Sequence, residues 1–346
     1  MQIAILGAGS IGLYVGASLC AAGADVMLDV MCIGRARLKQ QIAQFGITLT
    51  DLQQRRQQLS ATHIQFSEQA SALAGADLIL VCVKSHASAA AAEDIAKHAR
   101  PDALIVSLQN GIGNADVLRA ALPRHAILGG MVPFNVVQMD QGRLHRGTFG
   151  ELAIEASAKL APWLAIFAKA HLPLQENHDF VSLQWGKLLL NLNNAVNALA
   201  GIPLKAEFSQ RSYRLCLALL MQEALTIMQH AGIRPSKIAA APPKLLPFIL
   251  RLPTPLFKLV AASMLKIDPE ARSSMWEDLQ ARRPTEIDYL NGAVVRLAQQ
   301  HGIAAPANQQ IVRLMKAAEQ QAIASATQPG SMTGEALYQA LLACDA

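Results

Sequence analysis

A glycine cluster set between a short apolar run and a helix-compatible stretch is the feature that most narrows what this chain can fold into. The first residues read M-Q-I-A-I-L-G-A-G-S-I-G-L-Y-V-G. Ile3 to Leu6 has the length and apolar continuity of a buried strand, and Leu13 to Ala22 predicts a helix ended by Gly23. Gly7, Gly9 and Gly12 keep the G-x-G-x-x-G spacing: the first allows a tight turn, the second lets a pyrophosphate approach the backbone, and the third packs helix on strand. The segment Gly7, Ala8, Gly9, Ser10, Ile11 and Gly12 would then turn backbone N–H groups toward phosphates. A purely structural turn is the competing reading, and the flanking strand and helix favour the ligand site.

The same alternation continues. Asp25 to Leu28 predicts the start of a second strand, whose end sets cofactor choice: an acid there suits a free ribose 2′-hydroxyl, and an arginine suits a 2′-phosphate. The chain offers both, Asp29 first and then Arg35 and Arg37 beyond Val30-Met31-Cys32-Ile33-Gly34, with Arg35 the favoured phosphate partner and Asp29 a solvated loop residue. Gln53 to Gln58 is polar and reads as surface. Leu78 to Val83 and Ala103 to Leu108 are continuous apolar runs, as in parallel strands covered on both faces. They deliver Lys84 and Gln109-Asn110-Gly111 to the edge where open α/β sheets bind ligands. Asn110 reads equally as an asparagine of an N-G turn. Ile127 to Val137 and Gly142 to Ile154 predict further strands.

Beyond Pro173 to Asp179 strand signals fade. Helices are predicted over Trp185–Leu199, Tyr213–His230, Met275–Gln280, Thr285–His301 and Pro306–Gln321. The expected organisation is an α/β domain over residues 1–176, with an N-terminal doubly wound parallel sheet of the Rossmann type. An all-helical domain over 177–325 and a C-terminal tail over 326–346 follow, with a cleft between the two domains.

Hydrophobic residues make up 52% of the 346 and charged ones only 16%, which excludes a disordered chain and allows a large core. The net charge of +5 suits an enzyme for anionic ligands. No dense basic block or stacking motif points to nucleic acid. Five cysteines, at 20, 32, 82, 216 and 344, show no metal-ligand spacing, so reduced thiols, no metal and a cytoplasmic location are expected. The chain enters a strand with no basic run ahead of it, so no secretory leader is expected. The apolar stretch Leu245 to Leu265 is interrupted by Pro247, Arg251, Pro253, Pro255 and Lys258, which argues against a membrane span.

The helical half carries W-G-K-L-L-L-N-L-N-N-A-V-N from Trp185, with Lys187 and Asn191 at i and i+4 on one face. A lysine in such an apolar helix loses solvation, which lowers its pKa toward that of a proton donor near neutral pH. Snorkelling of its stem is the bland alternative. P-T-E-I-D-Y-L-N-G places Glu286 in the first turn of a helix starting near Thr285. Ser273-Ser274-Met275 reads as an N-cap.

Taken jointly, the glycine turn, V-x-V-K, Q-N-G-x-G, W-x-K-L-x-x-N, S-S-M-x-x-D and T-E-I-D-Y-x-N-G resemble the ketopantoate reductase (2-dehydropantoate 2-reductase) family across residues 1 to 321. The resemblance implies NADPH-dependent reduction of the C2 ketone of 2-dehydropantoate to (R)-pantoate, in pantothenate and coenzyme A synthesis. It implies Lys187 as general acid and Glu286 as the carboxylate holding cofactor and active-site network. Asn110, Lys187, Asn191, Asn194 and Ser274 become substrate contacts. Gly7 to Gly12, Arg35, Lys84, Asn110 and Asn135 become cofactor contacts. The chain departs from the pattern in two ways. Against the family pattern, extra residues, about Asp29 to Cys32, precede Arg35, and Ala195, Lys205 and Ala271 stand about where further substrate asparagines are usual. A different 2-oxo acid is therefore the alternative substrate, and a non-catalytic dinucleotide sensor the alternative class. Expected partners are a small 2-oxo acid and a second copy in a homodimer, with no nucleic acid and no membrane. The 245–265 stretch would cover the cleft or form a subunit contact.

Overall fold

The computed structural model describes residues 1–23, 28–238, 241–262, 268–324 and 330–343. These fall into two compact units, Met1–Phe180 and Val181–Ala346.

In the first unit the glycine turn joins β1 (Gln2–Leu6) to α1 (Ser10–Ala22). Next come β2 (Asp29–Ile33), α2 (Ala36–Phe45), β3 (Ile47–Asp51), β4 (Arg56–Leu59), β5 (Gln65–Ser67), β6 (Leu78–Val81), α3 (Ser88–His98) and β7 (Leu104–Ser107). The unit closes with α4 (Asn114–Ala121), β8 (Ala126–Met131), β9 (Val136–Gln138), β10 (Arg143–Arg146), β11 (Leu152–Glu155), α5 (Ala161–Lys169) and β12 (Leu174–Asn177). The main sheet runs β12-β11-β8-β7-β6-β1-β2-β5, and β8, β7, β6, β1, β2 and β5 are all parallel. Residues of β1, β6 and β7 are buried on both faces, which explains their unbroken apolar runs. From β1 the chain steps first to β2 on one side and later to β6 on the other. The end of β1 is thus the switch point where open sheets of this class bind ligands.

Two sequence expectations are corrected here. Of the predicted strand start, Asp25 to Leu28, residues 25–27 lie outside the described residues, and the strand among the described ones is Asp29–Ile33, a few residues later. Asp29 to Cys32 are therefore strand residues paired with β1. Gln53–Gln58 is not plain surface: β4 begins at Arg56 and pairs antiparallel with β3. Together with β10 and β9 they make a separate four-stranded sheet. Within it β3 and β10 pair in parallel although Thr48 and Arg143 are far apart in sequence.

The second unit is helical, entered through α6 (Phe180–Asn191) and α7 (Asn193–Ala200), then α8 (Leu204–Ser209) and α9 (Arg211–His230). It continues with α10 (Leu246–Arg251), α11 (Thr254–Val260), α12 (Ser274–Gln280), α13 (Asn291–Gln300), α14 (Pro306–Ala324) and α15 (Gly334–Leu342). The predicted helix over Trp185–Leu199 is thus two helices broken at Leu192. The one expected over Thr285–His301 is a 3₁₀ turn, Ile287–Tyr289, followed by α13. Of the stretch read as a tail, Gly334–Leu342 is a helix that buries Leu337 and Leu341, with Thr333 capping its N-terminus.

Arg214 of α9 is 1% exposed and organises the apolar stretch. Its guanidinium donates to the carbonyls of Phe208, Leu250 and Leu252 at 2.8, 3.3 and 3.0 Å, and lies 4.2 Å from the centre of the Phe257 ring. Burial, then the neighbouring Arg211 charge, holds its pKa below the ordinary value. The described part of the stretch, residues 245–262, thus holds two short helices fastened to α9, and residues 263–265 lie outside the described residues. No helix among the described residues is long and apolar enough to cross a membrane.

Candidate active site

The nucleotide edge of the first unit is built from the glycine turn outward. Gly7 has φ +104°, and a Cβ there would stand 2.5 Å from the Val83 nitrogen. A Cβ on Gly12 would stand 2.2 Å from the Gly7 carbonyl oxygen, so neither position tolerates a side chain. A Cβ on Gly9 would meet nothing within 4 Å. Its glycine is therefore not required by the protein's own packing, which fits a backbone approached by a ligand. The amides of Gly7 and Ala8 donate to Ile33 O at 3.0 and 2.9 Å, fastening the turn to the end of β2. Helix α1 then starts at Gly9 with no side-chain cap and no acidic residue in its first turn, a positive helix end suited to an anion. These residues fit a pyrophosphate-bearing cofactor.

The position of β2 decides which residue follows it. Asp29 pairs with Gln2 at the start of both strands and accepts from Gln2 Nε2 at 3.2 Å, so it belongs to the opposite edge of the sheet. At the ligand edge the chain runs Ile33-Gly34-Arg35. A Cβ on Gly34 would meet the Ala8 methyl at 2.8 Å, and Arg35 is exposed at the N-terminus of α2. Of Asp29 and Arg35, Arg35 is thus the one at the ligand edge.

Lys84 lies three residues beyond the end of β6 and precedes a 3₁₀ turn, Ser85–Ala87. Asn110 follows β7 and is held by a buried polar cluster that sequence reasoning missed. Its carbonyl accepts from Ser85 Oγ at 2.9 Å and Asn114 Nδ2 at 2.7 Å. Ser88 Oγ donates to Asn114 Oδ1, Gln109 Nε2 donates to Ser88 Oγ, and Ser107 Oγ donates to Gln109 Oε1. The signal was present as the run of serines and amides after two apolar strands, but such residues read by default as solvated turns. Asn135 lies between β8 and β9, exposed, its amide donating to Thr148 Oγ1 at 2.8 Å. The adjacent Phe134 ring stands edge-on to Tyr14 of α1, with centroids 5.9 Å apart.

In the second unit, Lys187 and Asn191 sit one turn apart on α6. Gly186 beside them was missed: a Cβ there would stand 2.3 Å from the Ser236 carbonyl oxygen, so this glycine lets the 233–238 segment press against α6. Lys187 is half-buried. Burial pushes its ammonium down to about 8, and the Glu286 carboxylate pulls partly back up. Glu286 itself is 5% exposed. It does not occupy a first helical turn as expected, but precedes the 3₁₀ turn, where Thr285 fastens it. The Thr285 amide and hydroxyl both donate to Glu319 Oε1 of α14, at 2.8 and 2.5 Å.

Asn194 of α7 and Ser274 of α12 are brought together. Ser273 Oγ donates to Asn194 O at 3.1 Å while accepting from Trp276 N at 3.1 Å, so Ser273 is the cap and Ser274 the first helical residue. Ala195 is fully buried, Lys205 is exposed on α8, and the carbonyl of Ala271 accepts from Leu204 N. Among the described residues no group of three or more His, Cys, Asp or Glu could hold a metal ion.

Two family descriptions match nearly the whole chain: "Ketopantoate reductase PanE/ApbA" over residues 3–159 and its C-terminal counterpart over residues 179–319. The chain belongs to the ketopantoate reductase family. Among curated relatives, a 2-dehydropantoate 2-reductase of Halobacterium salinarum is 26% identical over 325 residues, covering 92% of this chain and 99% of its own. That of Vibrio cholerae is 26% identical over 327 residues, covering 92% and 98%. A family ketopantoate reductase structure from Ralstonia eutropha superposes with a TM-score of 0.79 at 29% identity, covering 93% of this chain and all of that one. D-mandelate dehydrogenase, determined with NADH and anilino(oxo)acetate, shares the fold at a TM-score of 0.71 and 21% identity, covering 93% and 100%. As a ketopantoate reductase family member the chain is an oxidoreductase acting on a CH–OH group, and family members bind a nicotinamide dinucleotide.

Proposed function

We propose that this enzyme reduces the C2 ketone of 2-dehydropantoate to (R)-pantoate with NADPH. The observation that carries the reading is Lys187: an ammonium with a pKa of about 8, on the family's own helix, beside a buried carboxylate. In this reading Gly7 to Gly12 and the start of α1 hold the pyrophosphate, Arg35 the 2′-phosphate, and Lys84, Asn110 and Asn135 further parts of the cofactor. When bound, the reduced nicotinamide supplies hydride. Addition to the ketone carbon leaves an alkoxide, which Lys187 stabilises and protonates through its Nζ. Glu286 keeps that ammonium charged below its pKa and orients it. Asn191, Asn194 and Ser274 hold the substrate's polar groups. The described cysteines are free thiols, in keeping with the cytoplasm as its location, and a homodimer is the proposed assembly.

A second substrate reading is favoured by one observation. Ala195 is fully buried where family members commonly place an asparagine, and an amide missing from a pocket changes discrimination among oxo acids steeply. A panel of branched and aromatic 2-oxo acids, each with NADPH and NADH, separates the two by kcat/KM. Preference for 2-dehydropantoate with NADPH supports the first reading, and preference for another 2-oxo acid establishes the second. Cofactor binding without turnover of any acid would instead make the protein a sensor.

A further inference from the structure

Behind Ser274 lies a buried polar chain that the reaction does not itself use. Asn197 of α7 is fully buried and makes three hydrogen bonds. Its Nδ2 donates to Glu207 Oε2 of α8 at 2.6 Å and to Ile202 O at 2.9 Å, and its Oδ1 accepts from Ser273 N at 2.8 Å. Two further bonds tie the same loops together: Leu204 N donates to Ala271 O at 2.9 Å, and Arg272 Nη1 donates to Gly201 O at 2.6 Å. The start of α12 is thus tied to α7 by several bonds, among them that of Ser273 N to the fully buried Asn197 amide, and that amide is held in turn by Glu207.

Glu207 is 1% exposed, and among the described residues no cation pairs with it. The Arg272 guanidinium is turned to the Gly201 carbonyl and the Trp276 ring, and the Arg214 guanidinium to backbone carbonyls and Phe257. The titratable groups facing Glu207 from α9 are Tyr213 and Cys216, both neutral around pH 7 to 9, since burial raises the phenol and pushes the thiol up to about 12. The Asn193 side chain also reaches Glu207, and its Oδ1 is a buried acceptor with no partner. A carboxylic acid carries an O–H that can serve such an acceptor, whereas a carboxylate carries none.

We propose that Glu207 is a positioning residue for the substrate site: as a neutral carboxylic acid it fixes Asn197, which holds Ser273 and so sets Ser274 against α7. Burial is consistent with this, pushing the carboxyl up to about 8 against the hydrogen bonds of Asn197 and Asn193. Ionisation above that pH leaves a buried charge that no cation offsets, and the rearrangement that brings it water loosens the start of α12. The inference rests on Ser274 belonging to the substrate site, as proposed above.

The test uses the full chain as wild type, Glu207→Gln and Glu207→Ala. Glutamine keeps the shape and is neutral at every pH. Because the folded carboxyl binds its proton more tightly than the unfolded one, wild-type stability falls as pH rises from the ordinary carboxylate range toward 8. The Tm of Glu207→Gln should fall less between pH 5.5 and 8. From pH 7 to 9 the wild-type KM for the 2-oxo acid should rise on the order of tenfold relative to that of Glu207→Gln. Lys187 titrates in both proteins, so their ratio isolates Glu207. NADPH affinity should be the same in both, and Glu207→Ala, where it folds, should show the raised KM at every pH. Equal KM profiles in wild type and Glu207→Gln overturn the proposal even if the melting curves differ, and parallel melting curves overturn the neutral acid. Absence of turnover in the wild type is a different failure: it removes the functional reading itself, and the positioning role with it.

Discussion

The role proposed for Lys187 comes at a cost in stability. Its folded pKa of about 8 lies below the ordinary lysine value of 10.5, so the unfolded chain holds the proton more tightly. Stability is therefore lowest below pH 8 and rises as pH climbs from 8 toward 10.5, by on the order of 2–3 kcal/mol. Lys187→Met, which removes the buried charge, should melt higher than wild type at pH 7 while losing turnover; a lower Tm contradicts the desolvation argument. Turnover itself should fall above pH 8 as the acid is deprotonated, which a kcat profile checks. Arg35 makes a separate prediction. Arg35→Ala should weaken NADPH about tenfold or more in a fluorescence titration and leave NADH nearly unchanged, because the proposed partner of the guanidinium is the 2′-phosphate, which NADH lacks. Equal loss for both nucleotides would assign Arg35 to the pyrophosphate instead.

Elements here were legible where periodicity or punctuation was strong and obscure where pairing was distant. The run Leu78 to Val81 announces a parallel strand, and Gly7, Gly9 and Gly12 announce the turn. Arg56 to Leu59 gave no such sign, because three of its four residues are polar and only Leu59 is buried, although its partner β3 lies just before it in the chain. Asp29 misled because the strand begins there and does not end there, a register that only its pairing with Gln2 fixes. The buried cluster of Ser85, Ser88, Gln109 and Asn114 was hidden by the polarity of its members. The glycine turn separates two effects that one motif conceals. Gly12→Val should fail to fold, since even its Cβ collides with the Gly7 carbonyl. Gly9→Ala should keep the wild-type Tm and lose nucleotide affinity, and a Tm drop in Gly9→Ala would return that glycine to a purely structural role. In the helical unit, Arg214→Met leaves the carbonyls of Phe208, Leu250 and Leu252 without donors and should destabilise by about 3 kcal/mol, seen in urea melts.

At the scale of the whole molecule, two compact units divide the labour. The first presents a positive helix end and an arginine after β2; the second presents an ammonium, a buried carboxylate and amides on α6, α7 and the start of α12. The net charge of +5 acts on both, since the nucleotide and the proposed oxo acid substrate are anions. Raising salt from low to physiological levels should lower kcat/KM about twofold to threefold, mainly through KM. The measurement that bears most directly on the account is Lys187→Ala assayed with NADPH and 2-dehydropantoate beside its NADPH affinity. Unchanged affinity with kcat reduced at least about a hundredfold is the predicted result. Wild-type kcat in that variant would show that the proton comes from elsewhere and contradict the account.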